Sequence, residues 1–166
     1  MFESLLEKIT DYLPARKING FKGEPYLERC FLFRLLGITA YIHRFVASDP
    51  DRNLHDHPWG WGFSIILQGQ YQERYLKEHQ EVTRIIKWFN WIPGYRYHRV
   101  EVTDKSKPVW TLFIHGPRVK GWGFMEPGIT NDGNLLNYEH AFYMSSPNPD
   151  WHKSAQKGDR VKQYRQ

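Results

Sequence analysis

Residues 49–75 read DPDRNLHDHPWGWGFSIILQGQYQERY, with two histidines one residue apart and a glycine twelve positions after the second. In an extended chain alternate side chains share a face, so His55 and His57 point the same way about 6.5 Å apart, and both imidazoles can reach one ion. Two imidazoles alone do not define a site, because His-x-His also arises in turns and on wet strand faces. A third donor is offered by WIPGYRYHRV (91–100), where a Pro-Gly turn at 93–94 feeds a strand that begins near His98. If DPDRNL (49–54) is a rim loop, the three histidines meet at one mouth of the fold.

Outward from this stretch the texture is one of short apolar and aromatic segments separated by Gly, Pro, Asn and Asp. The segments 27–36, 38–46, 60–68, 70–77, 81–90, 96–102, 108–115 and 117–125 read as strands. Such strands with no helical segments between them predict an all-β antiparallel sandwich or barrel. One helix leads the chain: Phe2, Leu5, Leu6, Ile9, Tyr12 and Leu13 recur at three- and four-residue steps until Pro14. GITNDGN (128–134) is a loop, and LLNYEHAFYM (135–144) fits either a short helix or a last strand. The organisation expected is a helix and linker over 1–20, a barrel over 21–152 and a basic tail over 153–166.

Aromatic residues make up 16% of the chain, which argues for a dense core or an aromatic-lined cavity and against disorder. The single cysteine, Cys30, has no internal partner, and the first residues carry acids where a signal peptide is basic, so a reducing, cytoplasmic setting is expected. No apolar run reaches the roughly 18 residues of a spanning helix, so no membrane role is expected. The net charge of +5 could suggest nucleic acid, but five basic residues fall in the last fourteen, KSAQKGDRVKQYRQ, and a solvated tail is the favoured reading.

The motif segments resemble the cupin superfamily, whose first motif is G-x5-H-x-H-x3,4-E-x6-G and whose second is G-x5-P-x-G-x2-H-x3-N. His55, His57 and Gly69 fall at the first motif's spacing, and Pro93 and His98 at the second's. The segments HDHPW (55–59), PVWTLF (108–113) and GPRVKGWGF (116–124) look closest to a bacterial and phage-like group of cupins. The departures are Gly62 at the glutamate, Asp49 and Lys87 at the leading glycines, Tyr95 at the inner glycine and Val102 at the asparagine. The resemblance implies a double-stranded β-helix, or jelly roll, with a divalent metal on His55, His57 and His98. Fe(II) is favoured by likeness to cupin dioxygenases, and Zn, Mn, Ni or Cu also suit three imidazoles.

Gly62 supplies no carboxylate, and Glu73 is the expected substitute. If Gln68 and Gly69 are the centre of a tight hairpin, Glu73 opposes Ser64 and enters the lumen; a register slip by one residue would send it outward, and water could then fill the position. Asp56 should point away from the histidine pair and cap the rim loop. His43 and His115 read as core or edge histidines that could also face the lumen. Arg44 and Arg96 are the expected contacts for an anionic substrate, each with a surface ion pair as the alternative. The tryptophans flanking the motifs are either core or cavity wall. Three functions follow: a metal-dependent oxygenase on a small organic or anionic substrate, a metal-dependent isomerase or epimerase with Glu73 or a lumen histidine as the catalytic proton carrier, or a non-catalytic binding module. A homodimer through edge strands is a further expectation.

Overall fold

Proline ends the leading helix as the periodicity predicts: α1 spans Phe2–Asp11, and Pro14 separates it from the first strand, β1 (Ala15–Asn19). The computed structural model describes residues 2–19, 23–49, 54–78, 80–129, 135–144 and 150–162, and for 126–129, 135–144 and 162 it describes the backbone. The strands after β1 are β2 (Pro25–Leu35), β3 (Ile38–Phe45), β4 (Leu54–His55), β5 (Trp61–Gln68), β6 (Tyr71–Lys77) and β7 (Gln80–Ile86). They continue as β8 (Phe89–Pro93), β9 (His98–Glu101), β10 (Val109–His115), β11 (Trp122–Ile129) and β12 (Leu135–Met144). LLNYEHAFYM is therefore a strand, and the segment 81–90 divides into two strands on either side of Lys87 and Trp88.

The strands form two antiparallel six-stranded sheets, ordered β1-β2-β3-β10-β5-β8 and β12-β11-β4-β9-β6-β7. Alternation along β3 and β10 sends Tyr41, His43, Phe45, Val109, Thr111, Phe113 and His115 to the face between the sheets. Two clusters fill that interior: Leu27, Phe45, Tyr71, Ile86, Val102 and Val109 at one end, and Tyr41, Trp59, Ile92 and Phe113 at the other. Polar residues lie between them, and the candidate site is there.

The opposite face of the first sheet carries a third cluster of Leu6, Ala15, Cys30, Ile42, Trp110 and Val161, with Trp110 fully buried. Only Leu6 and Thr10 of α1 are buried, whereas Phe2, Leu5, Ile9 and Tyr12 are exposed, so the helix uses a narrow part of its apolar stripe. Val161 corrects the solvated-tail reading. It belongs to the short helix α2 (Gly158–Lys162), and the chain before that helix is stitched to the body by Ala15 N–H to Gln156 O (2.8 Å) and Gly158 N–H to Leu13 O (2.9 Å). Residues 163–166 of that tail lie outside the described residues. The residues expected to be a linker likewise hold β1, which pairs with β2.

No described helix is long and apolar enough to cross a membrane.

Candidate metal centre

The three histidines expected to meet do meet. Strand β4 lies between β9 and β11, and His55 is directly opposite His98 in the register. His57 lies two residues past the end of β4, and its ring is 5.3 Å from that of His55 and 4.9 Å from that of His98. One nitrogen from each of the three residues lies within 4.8 Å of the others. A metal–nitrogen bond is about 2.0–2.1 Å, so small ring rotations would bring all three onto one ion.

The carboxylate of Glu73 stands behind this group. It is fully buried, and its Oε1 is 2.7 Å from His98 Nδ1. Arg84 Nε donates to Glu73 Oε2 at 2.7 Å, and Asn90 Nδ2 donates to Oε1 at 2.9 Å. Arg84 also donates to Asn90 Oδ1 at 2.5 Å, so the three side chains form a closed ring of contacts. An ionised carboxylate accepts only, so His98 carries a proton on Nδ1, and Nε2 is the nitrogen turned toward His57. His57 Nε2 is 2.7 Å away, which in the metal-free protein requires a proton on one of the two nitrogens. His57 Nδ1 is then a buried atom with no hydrogen-bond partner among the described residues. A cation in place of the shared proton would be held by both Nε2 atoms, and the residues fit a metal.

Electrostatics agree with that fit. Burial pulls His55 down to about 4 against the opposing charge of Asp49. His57 falls well below the usual imidazole range through burial first, then the proximity of His98 and His55. Neutral imidazole is the form that binds metal. Asp49 Oδ2 is 3.3 Å from His55 Nδ1, an ion-pair distance without the alignment of a hydrogen bond. Burial would raise the carboxyl of Glu73, but the hydrogen bond and charge of His98, with Asn90 and Arg84, outweigh it and hold the group at about 2.

Glu73 faces inward, but not by the hairpin expected. Strands β5 and β6 lie in different sheets: β5 pairs with β10 and β8, and β6 with β7 and β9. Gly69, with φ of 82°, turns the chain from one sheet to the other rather than closing a ladder. Glu73 is therefore placed by alternation with Tyr71 and Tyr75 along β6, and it meets the back of His98. Its role in this geometry is to position an imidazole.

Gly62 shows why no carboxylate occupies the first motif's position. A Cβ there would stand 3.1 Å from Phe113 Cζ and 3.1 Å from Trp59 Nε1. The indole of Trp59 stacks on His57 at 4.7 Å and 13°, and Trp122 meets both His57 (5.1 Å) and His55 (5.6 Å). These rings and Phe113 wall the site. The outward tryptophans divide differently: Trp110 is core, whereas Trp61 stacks on Trp91 at 5.6 Å on the outer surface and Trp88 is exposed.

The two arginines expected to meet substrate have protein partners of their own. Arg44 alternates with His43 and so faces away from the lumen, where it pairs with buried Glu28 at 3.4 Å and lies 5.7 Å over Trp110. Arg96 donates to Trp91 O at 2.7 Å and stands 5.3 Å over the ring of Tyr75, the residue opposite His98. Asp56 is buried; it accepts from Gly123 N–H at 2.8 Å and pairs with Lys120, which locks β4 to the start of β11. Reading the sequence alone missed Arg84 and Asn90. A β6–β7 hairpin turning at Glu78 would have exposed Arg84, since the register sets it opposite Glu73.

His43 and His115 face the lumen without joining the triad. His43 accepts from Arg29 Nε at 3.0 Å, and His115 stacks on Trp59 at 4.1 Å. Burial holds His115 at about 4 and His43 well below its usual value. Both are neutral in the fold, while in the unfolded chain they protonate near 6.5, so the unfolded state binds more protons between those values. Stability of the metal-free protein is thus present above that window and lost as pH falls from 6.5 toward 4. The urea midpoint should be lower at about pH 5 than at about pH 7.5, and replacing His115 by Gln should reduce the difference in part, because His43, His55 and His57 contribute in the same direction.

The two antiparallel sheets form a jelly-roll fold, and the three clustered imidazoles inside it are a candidate metal centre. No family model matches the chain, and no curated protein matches it in sequence. Solved structures share its fold. Fe(II)-HppE with an alternative substrate is 12% identical with a TM-score of 0.52, the match covering 64% of this chain and 57% of that one. The hydroxypropylphosphonic acid epoxidase from S. wedmorenis is 12% identical with a TM-score of 0.50, covering 64% and 56%. An oxalate decarboxylase from Lactobacillus farciminis, in a formate complex, is 14% identical with a TM-score of 0.49 over 66% of this chain and 32% of that one. The match spans little more than half the length of the epoxidase chains, and identities this low show the fold alone.

Proposed function

We propose that this protein is a metal-dependent oxygenase of the HDHPW-bearing cupin type, acting on a small anionic substrate, with His55, His57 and His98 as the metal ligands and Fe(II) as the metal. The observation that carries the reading is the convergence of three histidines, His57 and His98 buried and His55 largely so, with His55 and His57 held neutral by burial, while Gly62 adds no fourth side-chain ligand. Three protein ligands leave positions open, the arrangement of a catalytic rather than a structural centre. When bound, the metal would supply those open positions to substrate and O2.

The protein's own part is to hold and shield. Glu73 keeps the His98 proton on Nδ1, and Asn90 and Arg84 keep Glu73 in place. Trp59, Trp122 and Phe113 limit water around the imidazoles, which strengthens any electrostatic contact made there. An isomerase that moves a proton through Glu73 is less favoured, because that carboxylate is committed to three partners. A non-catalytic binding module remains the second reading, supported by how closely aromatic rings crowd the triad.

Metal analysis of the purified protein, before and after anaerobic loading with Fe(II), tests the proposal. One equivalent of metal is expected in the native chain and none in His98→Ala, whose metal-free form should still unfold cooperatively but melt earlier, because Glu73 loses its imidazole partner. Nitric oxide added to the Fe(II) protein should give the spectrum of a ligated iron if positions are open. A native chain that takes up no metal removes the proposal, and uptake without a nitric oxide adduct leaves the binding-module reading.

A further inference from the structure

A pair of guanidinium groups lies on the interior face of β1 and β2 and has no role in the centre described above. Arg16 is directly opposite Arg29, and Arg29 is directly opposite His43, so the three share one face of the first sheet. Arg29 donates through Nε to His43 Nε2 at 3.0 Å and lies 5.1 Å from the centroid of the Tyr41 ring. Arg16 sits 4.4 Å over the ring of Trp151.

Like charges directly opposed on neighbouring strands destabilise a sheet, and burial removes the water that would screen them. Both groups feel this: burial first, and then Arg29, pulls Arg16 down to about 10, and burial lowers Arg29 as well. Arg34, Arg44, Arg74, Arg84 and Arg99 each have a carboxylate partner. Among the described residues no carboxylate lies within ion-pair distance of Arg16 or Arg29. The Nε of Arg16 is moreover a buried donor with no hydrogen-bond partner there. Two cations, a spare donor and no counter-charge make a place where a planar or tetrahedral oxyanion is the missing partner.

The position relates this pair to the triad. His43 stacks on Phe113 at 5.1 Å, and the Phe113 ring is 6.5 Å from that of His57. One aromatic layer therefore separates the arginine-held histidine from the nearest candidate metal ligand. Arg16 and Trp151 also line a cleft of about 370 Å³ beside β1.

We infer that Arg16 and Arg29 form the seat for the acid group, carboxylate or phosphate, of a small ligand whose other end reaches toward the histidine triad. This rests on the metal-dependent reading for the ligand's being a substrate, but the seat itself does not.

Calorimetric titration of the full chain with inorganic phosphate and, separately, with acetate tests the inference, on both metal-free and Fe(II)-loaded protein. Saturable binding of one of them in the millimolar range is expected, and which one binds identifies the acid. Arg16→Gln should weaken that binding roughly tenfold or more, since a charge-assisted contact is lost. Arg29→Gln should do the same, and because it also releases His43, Arg16→Gln with an unchanged melt is the cleaner variant. Arg74→Gln, on the outer face of the other sheet, should bind as the native chain does. No saturable binding of either probe to the native chain, or native affinity in both variants, overturns the seat. A chain that binds phosphate through Arg16 and Arg29 but takes up no metal keeps the seat and removes the oxygenase; one that loads iron while its anion affinity ignores both arginines does the reverse.

Discussion

Replacing Glu73 by alanine is expected to cost about 3 kcal/mol of stability and to weaken metal binding roughly 10–100-fold. The stability loss comes from stranding the His98 Nδ1 proton and the Asn90 amide in a buried site, both of which now end on the carboxylate. It sits at the low end of the range for breaking a buried pair, because the third partner, Arg84, has a side chain 38% exposed and can rehydrate. The metal effect has a different origin. Without the carboxylate nothing keeps the His98 proton on Nδ1, so the ring spends part of its time with Nε2 protonated and unable to ligate.

Glu73→Gln separates the two effects. Its amide oxygen still accepts from His98, while its NH2 confronts Arg84, so stability should fall with most of the metal affinity kept. Equal loss of metal in both variants would show that Glu73 does not act through His98. The pH dependence gives a further check. The native pKa near 2 is below the unfolded value of 4.5, so the contribution of Glu73 is present above about 4.5 and lost as pH falls toward 2. The gap in urea midpoint between the native chain and Glu73→Ala should close across that interval.

Alternation was legible in the sequence and partnership was not. Hydrophobic periodicity along 60–77 names which residues share a face, and that alone suffices to turn Glu73 inward. It does not say whether β6 continues beside β5 or crosses to the other sheet, because a positive-φ glycine such as Gly69 serves both a hairpin and a corner. The same limit applies to Arg44. Arg44 and His43 are neighbours on one strand, and the choice of which faces the lumen depends on what α1 covers on the other side. Arg29 and Arg16 could not be related to His43 before the order β1-β2-β3 was known. The C-terminal segment fails for another reason: Val161 is a single apolar residue among charged ones, and its burial depends on a groove made by Leu6 and Ala15, which lie about 150 positions away in the chain.

Restoring the glutamate that the cupin pattern would place at position 62 is expected to damage the centre. The Cβ of Gly62→Glu would meet Phe113 and Trp59 at 3.1 Å, and the rest of the side chain has to pass between them. Phe113 packs within the interior cluster that also holds Tyr41 and Ile92, so it has little room to retreat. Trp59 can move more easily, but only by leaving its stack on His57 at 4.7 Å and on His115 at 4.1 Å. Overpacking of this kind costs about 1–3 kcal/mol, and an unpaired buried carboxylate adds to it. The opposing gain, a fourth ligand for the metal, requires the carboxylate to arrive at the triad with the His57 ring still in place, and the displacement of Trp59 removes that condition. Gly62→Glu should therefore melt earlier than the native chain and bind metal no more tightly, whereas Gly62→Ala should show a smaller loss of stability with metal affinity kept. Tighter metal binding in Gly62→Glu would mean that the aromatic wall yields more readily than its packing implies, and that Trp59, rather than holding His57, only fills the space a glutamate would otherwise take.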